Sequence, residues 1–543
     1  MTKHSVGWAF GIAALIAAMS LGTTGCQAAP SPSTSGRPTT AATCAELAAR
    51  IVDTVQGYVD SFAHVSAGQV SGAVTARQAD FTAATTTLRE RGESLGCDPT
   101  DLADLIRVEL GRLTGGTPLQ DAVADTFRAD PLGTLDPSDL GPGEIPVASA
   151  EQLVTAVTRA GSGSTIRLAP GTYALAAPLV ALRPITLVGA GDGSDPKLAS
   201  TITSLAAGAA LIAATSGNLT LTDLAIAHTG KQAASVVVVA GGGYDFARVS
   251  VTGGVAEKGT GGYGIVLRPS SSPLMPTGDR RALTDVTLDD NDGGGVVIAG
   301  SEQPTISGVQ VTGSDGCGLC WVEQAAGTAS DLSVAGTKIG VRIDNEASPV
   351  VTRAQVTDAD VGVALTGSGS PRLEDAVLTG GAIGLQATGS GTATLVGNQV
   401  RQAKEIGIRL SGTTRTTLER NSVSGATKVG IATLATAAST ITGGQVTSTG
   451  DVGLIWGDEA TGTVTDVVIR GPQLGVQLAA SVKVDLTGVV ADGAKAAALL
   501  ASGKASGTVT RLTCGQGAGA AVVFTATTAV RLLDSPTCQV FQR

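Results

Sequence analysis

One short pattern recurs at nearly constant spacing through the second half of the chain: glycine, an aliphatic residue, any residue, another aliphatic. It stands at Gly264 ("GIVL"), Gly295 ("GVVI"), Gly318 ("GLCW"), Gly340 ("GVRI") and Gly362 ("GVAL"), then with some drift at Gly384, Gly407, Gly430, Gly453 and Gly475. From Gly295 onward the steps are 23, 22, 22, 22, 23, 23, 23 and 22 residues. A unit that short cannot bury its own apolar positions, so it stacks on its neighbours as one coil of a solenoid. A second apolar alternation lies between the glycine marks, as in "ISGVQVTG" and "TVTDVVIRG". Each coil therefore holds two or three short strands joined by Gly or Asn turns. Successive coils then pair in parallel, about 4.8 Å apart, and about 16 coils extend over about 75 Å.

Composition fits this geometry. Of 543 residues, 74 are glycine and 43% are hydrophobic, yet only 3% are aromatic, as a narrow interior filled by small aliphatics requires. The net charge is −10, and no block of five or more basic residues occurs. Nucleic acid is therefore not an expected partner, because neutralising phosphates takes clustered Lys and Arg.

The stretch "ASAEQLVTAVTRAGSGSTIRLAPGTYAL…PITLVGAG", followed by these coils, resembles the right-handed parallel β-helix proteins of the pectin-lyase-like superfamily. The resemblance runs over residues 147–543. It implies a mainly β, single-stranded right-handed solenoid with a helix capping its first coil. Ser149 and Gln152 form a capping box at the start of that helix, and Leu153, Val154 and Val157 supply its apolar face. The fold hosts lyases, hydrolases, epimerases, tailspikes and non-catalytic accessory proteins, so it does not by itself choose a function.

Residues 1–25 carry Lys3, a Val6–Leu21 apolar run and a small-residue end, a signal peptide by pattern. With Gly25 before Cys26 it resembles a bacterial lipoprotein signal, although Thr23 stands where a leucine is usual. Cys26 is then the lipidation site, and residues 26–43 a Pro/Ser/Thr tether to the membrane. Without Cys26, six cysteines remain, as an oxidising compartment predicts. Cys44 with Cys97, Cys317 with Cys320 and Cys514 with Cys538 are locally plausible pairs, one of fifteen connectivities. Cys317-Gly-Leu-Cys320 reads as a loop staple; a zinc half-site is the alternative, with no second CxxC and distant histidines.

Residues 44–130 read as a small helical domain. Leu47, Ile51, Val55, Tyr58 or Val59, and Phe62 form one face, and Asp98-Pro99 starts a helix carrying Leu102, Leu105, Ile106 and Leu113. A last helix runs through Leu119, Val123 and Phe127. Residues 131–146 read as a linker.

Signatures of the best-known activities of the fold are missing: of the polygalacturonase-like set only an Asp-Asp pair, Asp289-Asp290, is present. Two clusters remain as candidates. In the first, aligned coils place His228, Gly253, Asp290 and Gly313 in one column and Asp292 and Asp315 in another. Asp289, Asp290, Asp292 and Asp315 would then gather within about 5 to 10 Å, suiting two-carboxylate chemistry or a Ca2+ site. A period-breaking insertion from Arg268 to Arg281 lies beside them, and Arg268, Arg280 and Arg281 could meet acidic sugars. In the second, "IGVRIDNEASP", Arg342 points outward and groups with Glu323, Asp344 and Glu346. The alternative for both is a solvated scaffold turn. Trp321 and Trp456 fall in the inward column, and His228 reads as a turn residue.

The sequence thus reads as an exported, lipid-anchored monomer on the outer face of the membrane, or extracellular, a non-catalytic surface protein that either binds polysaccharide or another cell-surface component or is structural. The alternative is a polysaccharide lyase, glycoside hydrolase or epimerase acting on an acidic polysaccharide.

Overall fold

A computed structural model describes residues 41–61, 63, 81, 84, 87, 88, 90–92, 94–97, 99–116, 120, 124 and 127, and residues 143–542 apart from 182, 196, 214–217, 270–279, 448 and 516–520. The signal segment, Cys26, Phe62, Asp98, Leu119, Val123 and most of both expected linkers lie outside the described residues. The chain is mainly β, a parallel solenoid of about 16 turns with a small N-terminal helical region. It divides into two compact units, one of residues 1–249, 256–261 and 269–280, the other of 250–255, 262–268 and 281–543.

In the first unit, α1 (Cys44–Asp60) opens on Thr43, whose hydroxyl accepts the Glu46 N–H at 3.2 Å. Its face of Leu47, Ile51, Val55, Tyr58 and Val59 is buried with Ile106, Leu110 and Leu113, from and just beyond α2 (Pro99–Leu110), and with Phe81 and Phe127. The Cys44–Cys97 disulfide, Cα atoms 5.8 Å apart, ties the two helical segments. The first solenoid strand, Glu144–Val147, begins inside the stretch read as linker and pairs in parallel with Ser164–Leu168. Between them α3 (Ala150–Arg159) is capped as expected: Ser149 Oγ accepts the Gln152 N–H at 3.2 Å, and Gln152 Oε1 accepts the Ala148 N–H at 2.8 Å.

The second unit holds the regular coils. The motif glycine lies in a bulge: in each rung the ladder pairs Ile339 with Val361 and Val341 with Val363 but passes over the glycines between. A Cβ on Gly340 would press on Val356 of the facing strand and stand 2.5 Å from the Gly362 carbonyl oxygen of the next coil. That contact repeats from coil to coil, for example 2.5 Å from Gly362 to the Gly384 oxygen and 2.7 Å from Gly453 to the Gly475 oxygen. Close stacking, rather than turn formation, accounts for the sequence period.

Each coil bends at left-handed residues. One column joins the two short strands, with φ of 54° at Asp331, 51° at Arg353, 50° at Asp375 and 65° at Gly397. A second follows the short strand ending at Asp289, Thr312 or Thr357, with φ of 54° at Asp290, 63° at Gly313 and 53° at Asp358. A third ends the glycine-motif strand, with φ of 62° at Glu323 and 56° at Asn345. Gly, Asn and Asp tolerate this conformation most readily, so these columns set where polar residues fall. Inside, Asn398 and Asn421 stack: the Asn398 backbone and side-chain N–H groups donate to Asn421 Oδ1 at 3.0 and 2.9 Å. The Cys317–Cys320 and Cys514–Cys538 pairs are bonded as expected.

Candidate functional site

The register sets the aspartates in line as the sequence indicates. Leu288 pairs with Val311 and Asp289 with Thr312, which brings Asp290 beside Gly313; the pairing of Gly294 with Cys317 brings Asp292 beside Asp315. The Asp289 carboxylate accepts the Thr312 hydroxyl. Asp290 fills the left-handed turn position that glycine takes at Gly253 (φ 85°) and Gly313 (φ 63°). Beneath them Asn291, 0% exposed, holds the turn: its Oδ1 accepts the Gly254 N–H at 2.9 Å and its Nδ2 donates to the Asp289 and Val251 carbonyls at 3.1 and 3.3 Å. Among the described residues no group of three or more His, Cys, Asp or Glu side chains is placed to hold a metal ion. The four aspartates line up along the turns without converging as calcium ligands.

The arginines flanking the insertion meet carboxylates. Arg280 Nε lies 3.0 Å from Asp245 Oδ2, and Arg281 Nε 3.2 Å from Glu302 Oε2. Glu302 is only 1% exposed. The Ala326 N–H donates to the Glu302 carbonyl, which sets Glu302 opposite Ala325 in an inward column that continues with Ala347. A carboxylate in that column needs a cation, and Arg281 supplies it. Arg268 is partly buried; burial pushes its guanidinium pKa down, and the nearby Glu323 charge opposes this.

"IGVRIDNEASP" folds into one strand, Ile339–Ile343, and one turn. Val341 and Ile343 are buried and Arg342 is exposed. Arg342 pairs with Asp344, which is 7% exposed and also accepts the Thr366 hydroxyl from the next coil. Asn345 Oδ1 accepts the Glu323 N–H at 3.1 Å, Glu323 Oε2 accepts the Gly300 N–H at 2.7 Å, and Gln324 Nε2 donates to Glu346 Oε2 at 3.3 Å. Glu323, Arg342, Asp344 and Glu346 do come together. Arg342 pairs within its own coil, whereas Glu323, Asp344 and Glu346 each bond to a neighbouring coil.

Trp321 and Trp456, 0% and 1% exposed, are core residues whose indole N–H groups donate to Ala326 O and Ser439 Oγ at 3.1 Å each. His228 is 4% exposed, with Nε2 at 3.0 Å from the Ala206 carbonyl. A crevice of about 300 Å3 opens beside α3, lined by Pro146, Gln152, Arg167 and Leu168. None of the candidate residues lines it.

Sequence reasoning passed over the outer side of the 16-stranded sheet. The glycine bulge leaves the first and fourth residues of each motif strand facing outward and the third and fifth facing the core. At the upstream end these outer positions are Val297, Cys317 and Cys320, sealed in a small apolar cluster with Tyr263 and Ile339. Downstream the first positions form an aliphatic column, including Val361, Ile383, Ile406 and Val429. The fourth positions run beside it: Arg342, Ala364, Gln386, Arg409, Ala432, Ile455 and Gln477. The signal was present in the sequence as the variable third letter of the glycine motif, where long polar residues alternate with small ones.

The chain matches the family described as the right handed beta helix region at residues 209–400, 294–446 and 361–514, which together span more than half of it. It belongs to the right-handed β-helix family. Three solved structures are similar to the chain at low identity. One is the catalytic unit of a thermostable GH87 alpha-1,3-glucanase from Streptomyces thermodiastaticus strain HF3-3, with 15% identity, TM-score 0.36, and coverage of 75% of this chain and 68% of that one. Another is tailspike protein 3 of bacteriophage CBA120, with 13% identity, TM-score 0.37, and coverage of 73% and 58%. The third is a mannuronic acid specific polysaccharide family 6 lyase from human gut microbiota, with 10% identity, TM-score 0.36, and coverage of 64% and 86%. At such identities and scores the likeness carries no argument about activity. No curated protein matches the chain significantly in sequence.

Proposed function

We propose that the protein is an exported cell-envelope β-helix, monomeric and lipid-anchored at Cys26, that binds polysaccharide along its outer face without turning it over. One observation carries this reading: the aliphatic column from Ile339 to Leu474 runs beside the column containing Arg342, Gln386, Arg409 and Gln477. Sugars offer both an apolar ring face and hydroxyls, and a strip of this kind meets both. Parallel rungs about 4.8 Å apart repeat that offer along the axis, which suits an elongated chain. Among the candidate carboxylates, Asp289 accepts the Thr312 hydroxyl, Asp344 pairs with Arg342 and Glu323 accepts the Gly300 N–H, so these three serve the scaffold. That favours binding over catalysis.

The second reading, a lyase, glycoside hydrolase or epimerase, rests on Asp292 and Asp315 standing in register on neighbouring coils. Incubating the full protein with a panel of polysaccharides separates the two. Retention of polymer with unchanged chain length supports binding. Shortened or unsaturated products that vanish in Asp290→Ala or Asp292→Ala overturn it.

A further inference from the structure

We propose that the last coil of the solenoid is a docking surface for a second copy of this chain, two molecules meeting end to end about a two-fold axis. The inference goes beyond the binding reading and does not rest on it. Leu532 stands in register with Val509 on the coil beneath, and Val540 with Val522. Val509 and Val522 are 0% exposed, whereas Val540 is 52% exposed. Leu532 and Val540 thus occupy core columns with no further coil above them. Phe541 continues the outward column of Val523 and is 49% exposed. The terminal repeat of a soluble solenoid needs a polar outer face. Here the core columns stand open, and apolar surface of that kind marks an interaction site.

The sides of that coil end differently. Above Leu512 and Cys514 the edge is closed by side chains: Ser535 Oγ accepts the Leu512 N–H at 3.0 Å and Thr537 Oγ1 the Cys514 N–H at 2.9 Å. The Cys514–Cys538 disulfide pins the same turn. Strands Ala529–Leu533 and Gln539–Gln542 pair with the coil beneath, and among the described residues no strand takes their far edges. Residues 539–542 read "QVFQ", without the proline or charge that blunts an edge. Such an edge takes another strand. A lone peptide strand would cover one edge and leave the core columns open, whereas a second end coil has the same cross-section and covers them together. The first strands of the solenoid are packed by α3, so an open end meets only another open end, and the assembly closes at two copies. Charge favours the same contact. The whole chain carries −10, but the described residues 521–542 hold one cation, Arg531, and one anion, Asp534, so copies that repel elsewhere do not repel here. A coil with a perimeter of about 75 Å covers on the order of 600 Å2 per copy, about 1,200 Å2 in all, the low end for a specific pair. Dilute protein therefore stays single and concentrated protein pairs.

The test follows the full protein, bearing Cys26→Ser so that no lipid links the chains, by sedimentation velocity from about 1 to 100 µM. This parent chain shifts from one copy to two across that range and stops there. Val540→Lys and Phe541→Lys each raise the concentration of half-pairing by about tenfold or more and leave the melting temperature unchanged. Leu205→Lys, at a leucine 62% exposed on an early coil, changes nothing. Hydrogen exchange at residues 539–542 of the parent slows as pairing rises, a readout that needs no variant. A single copy at every concentration overturns the inference, as does exchange at 539–542 that pairing does not slow. Pairing that both lysine variants of the last coil leave intact, or that Leu205→Lys loses equally, also overturns it. Growth beyond two copies overturns the two-fold arrangement.

Discussion

Arg353 grips Asp331 of the preceding coil with both arms of its guanidinium, Nε to Oδ1 and Nη2 to Oδ2 at 2.7 Å each. Both residues occupy left-handed turn positions, at φ of 51° and 54°. Arginine is an uneasy occupant there, and the fork offsets its backbone strain. The pair lowers the Asp331 carboxyl below its ordinary value of 3.8 and raises the Arg353 guanidinium above its ordinary range. A depressed acid contributes stability above its unfolded pKa and loses it as pH falls through the folded one. The stability gap between wild type and Asp331→Asn should therefore be constant around neutrality and close as pH falls below 3.8. Because both groups are exposed, the gap should also shrink in about 1 M salt. Denaturant titrations at several pH values check this.

Glycine matters in two opposite ways. Gly340→Ala would drive a methyl into Val356 and the Gly362 carbonyl, with backbone on one side that cannot yield. A loss of about 2 to 3 kcal/mol is expected. Gly57, inside α1, has nothing within 4 Å of its missing Cβ. Gly57→Ala should stabilise the helical region by about 0.5 to 1 kcal/mol. Urea unfolding of both variants, followed by circular dichroism, gives the two signs.

Removing Arg281 takes an ion-pair partner from Glu302 in an interior column. Arg281→Leu should cost about 3 kcal/mol or more. Adding Glu302→Ala restores what the coils at Ala325 and Ala347 already have, so the double variant should recover most of the loss. A calorimetric double-mutant cycle measures this, and additive losses would contradict the pairing.

The three disulfides should differ in worth by the loops they close. Cys44–Cys97 spans 53 residues and Cys317–Cys320 only 3. Replacing the first pair by alanines should cost about 4 kcal/mol and the second about 2 kcal/mol on loop entropy. Thermal melts of the two double variants compare them directly.

Which parts of this were legible in the sequence follows from what each residue type is doing. The solenoid was, because the motif glycine is imposed by backbone contact in every coil and so repeats without regard to function. Trp321 and Trp456 were, by strand alternation alone. Asp290 was ambiguous, since a left-handed turn and a catalytic carboxylate both favour aspartate, and only the shared φ of Asp290, Gly313 and Asp358 separates them. Glu302 was missed because "SEQP" looks like any polar loop until its coil is stacked on those of Ala325 and Ala347. Arg409 and Gln386 were written in the motif's variable letter, which strand alternation sets outside as it does Arg342, but the columns they form appear only once the coils are stacked. Arg268, Arg280 and Arg281 were noted together as cations, while the Glu323 charge near Arg268 and the Glu302 partner of Arg281 lie tens of residues away in sequence.

The measurement that tests the central claim most directly follows one sample in two ways. The full protein is incubated with polygalacturonate and with neutral polymers, with and without calcium; bound polymer is weighed by affinity electrophoresis and its chain length read by mass spectrometry. The account predicts retention of a polysaccharide with its length and saturation unchanged. New shortened or unsaturated chains, lost on Asp290→Ala or Asp292→Ala, would contradict it and make the aspartate turns an active site.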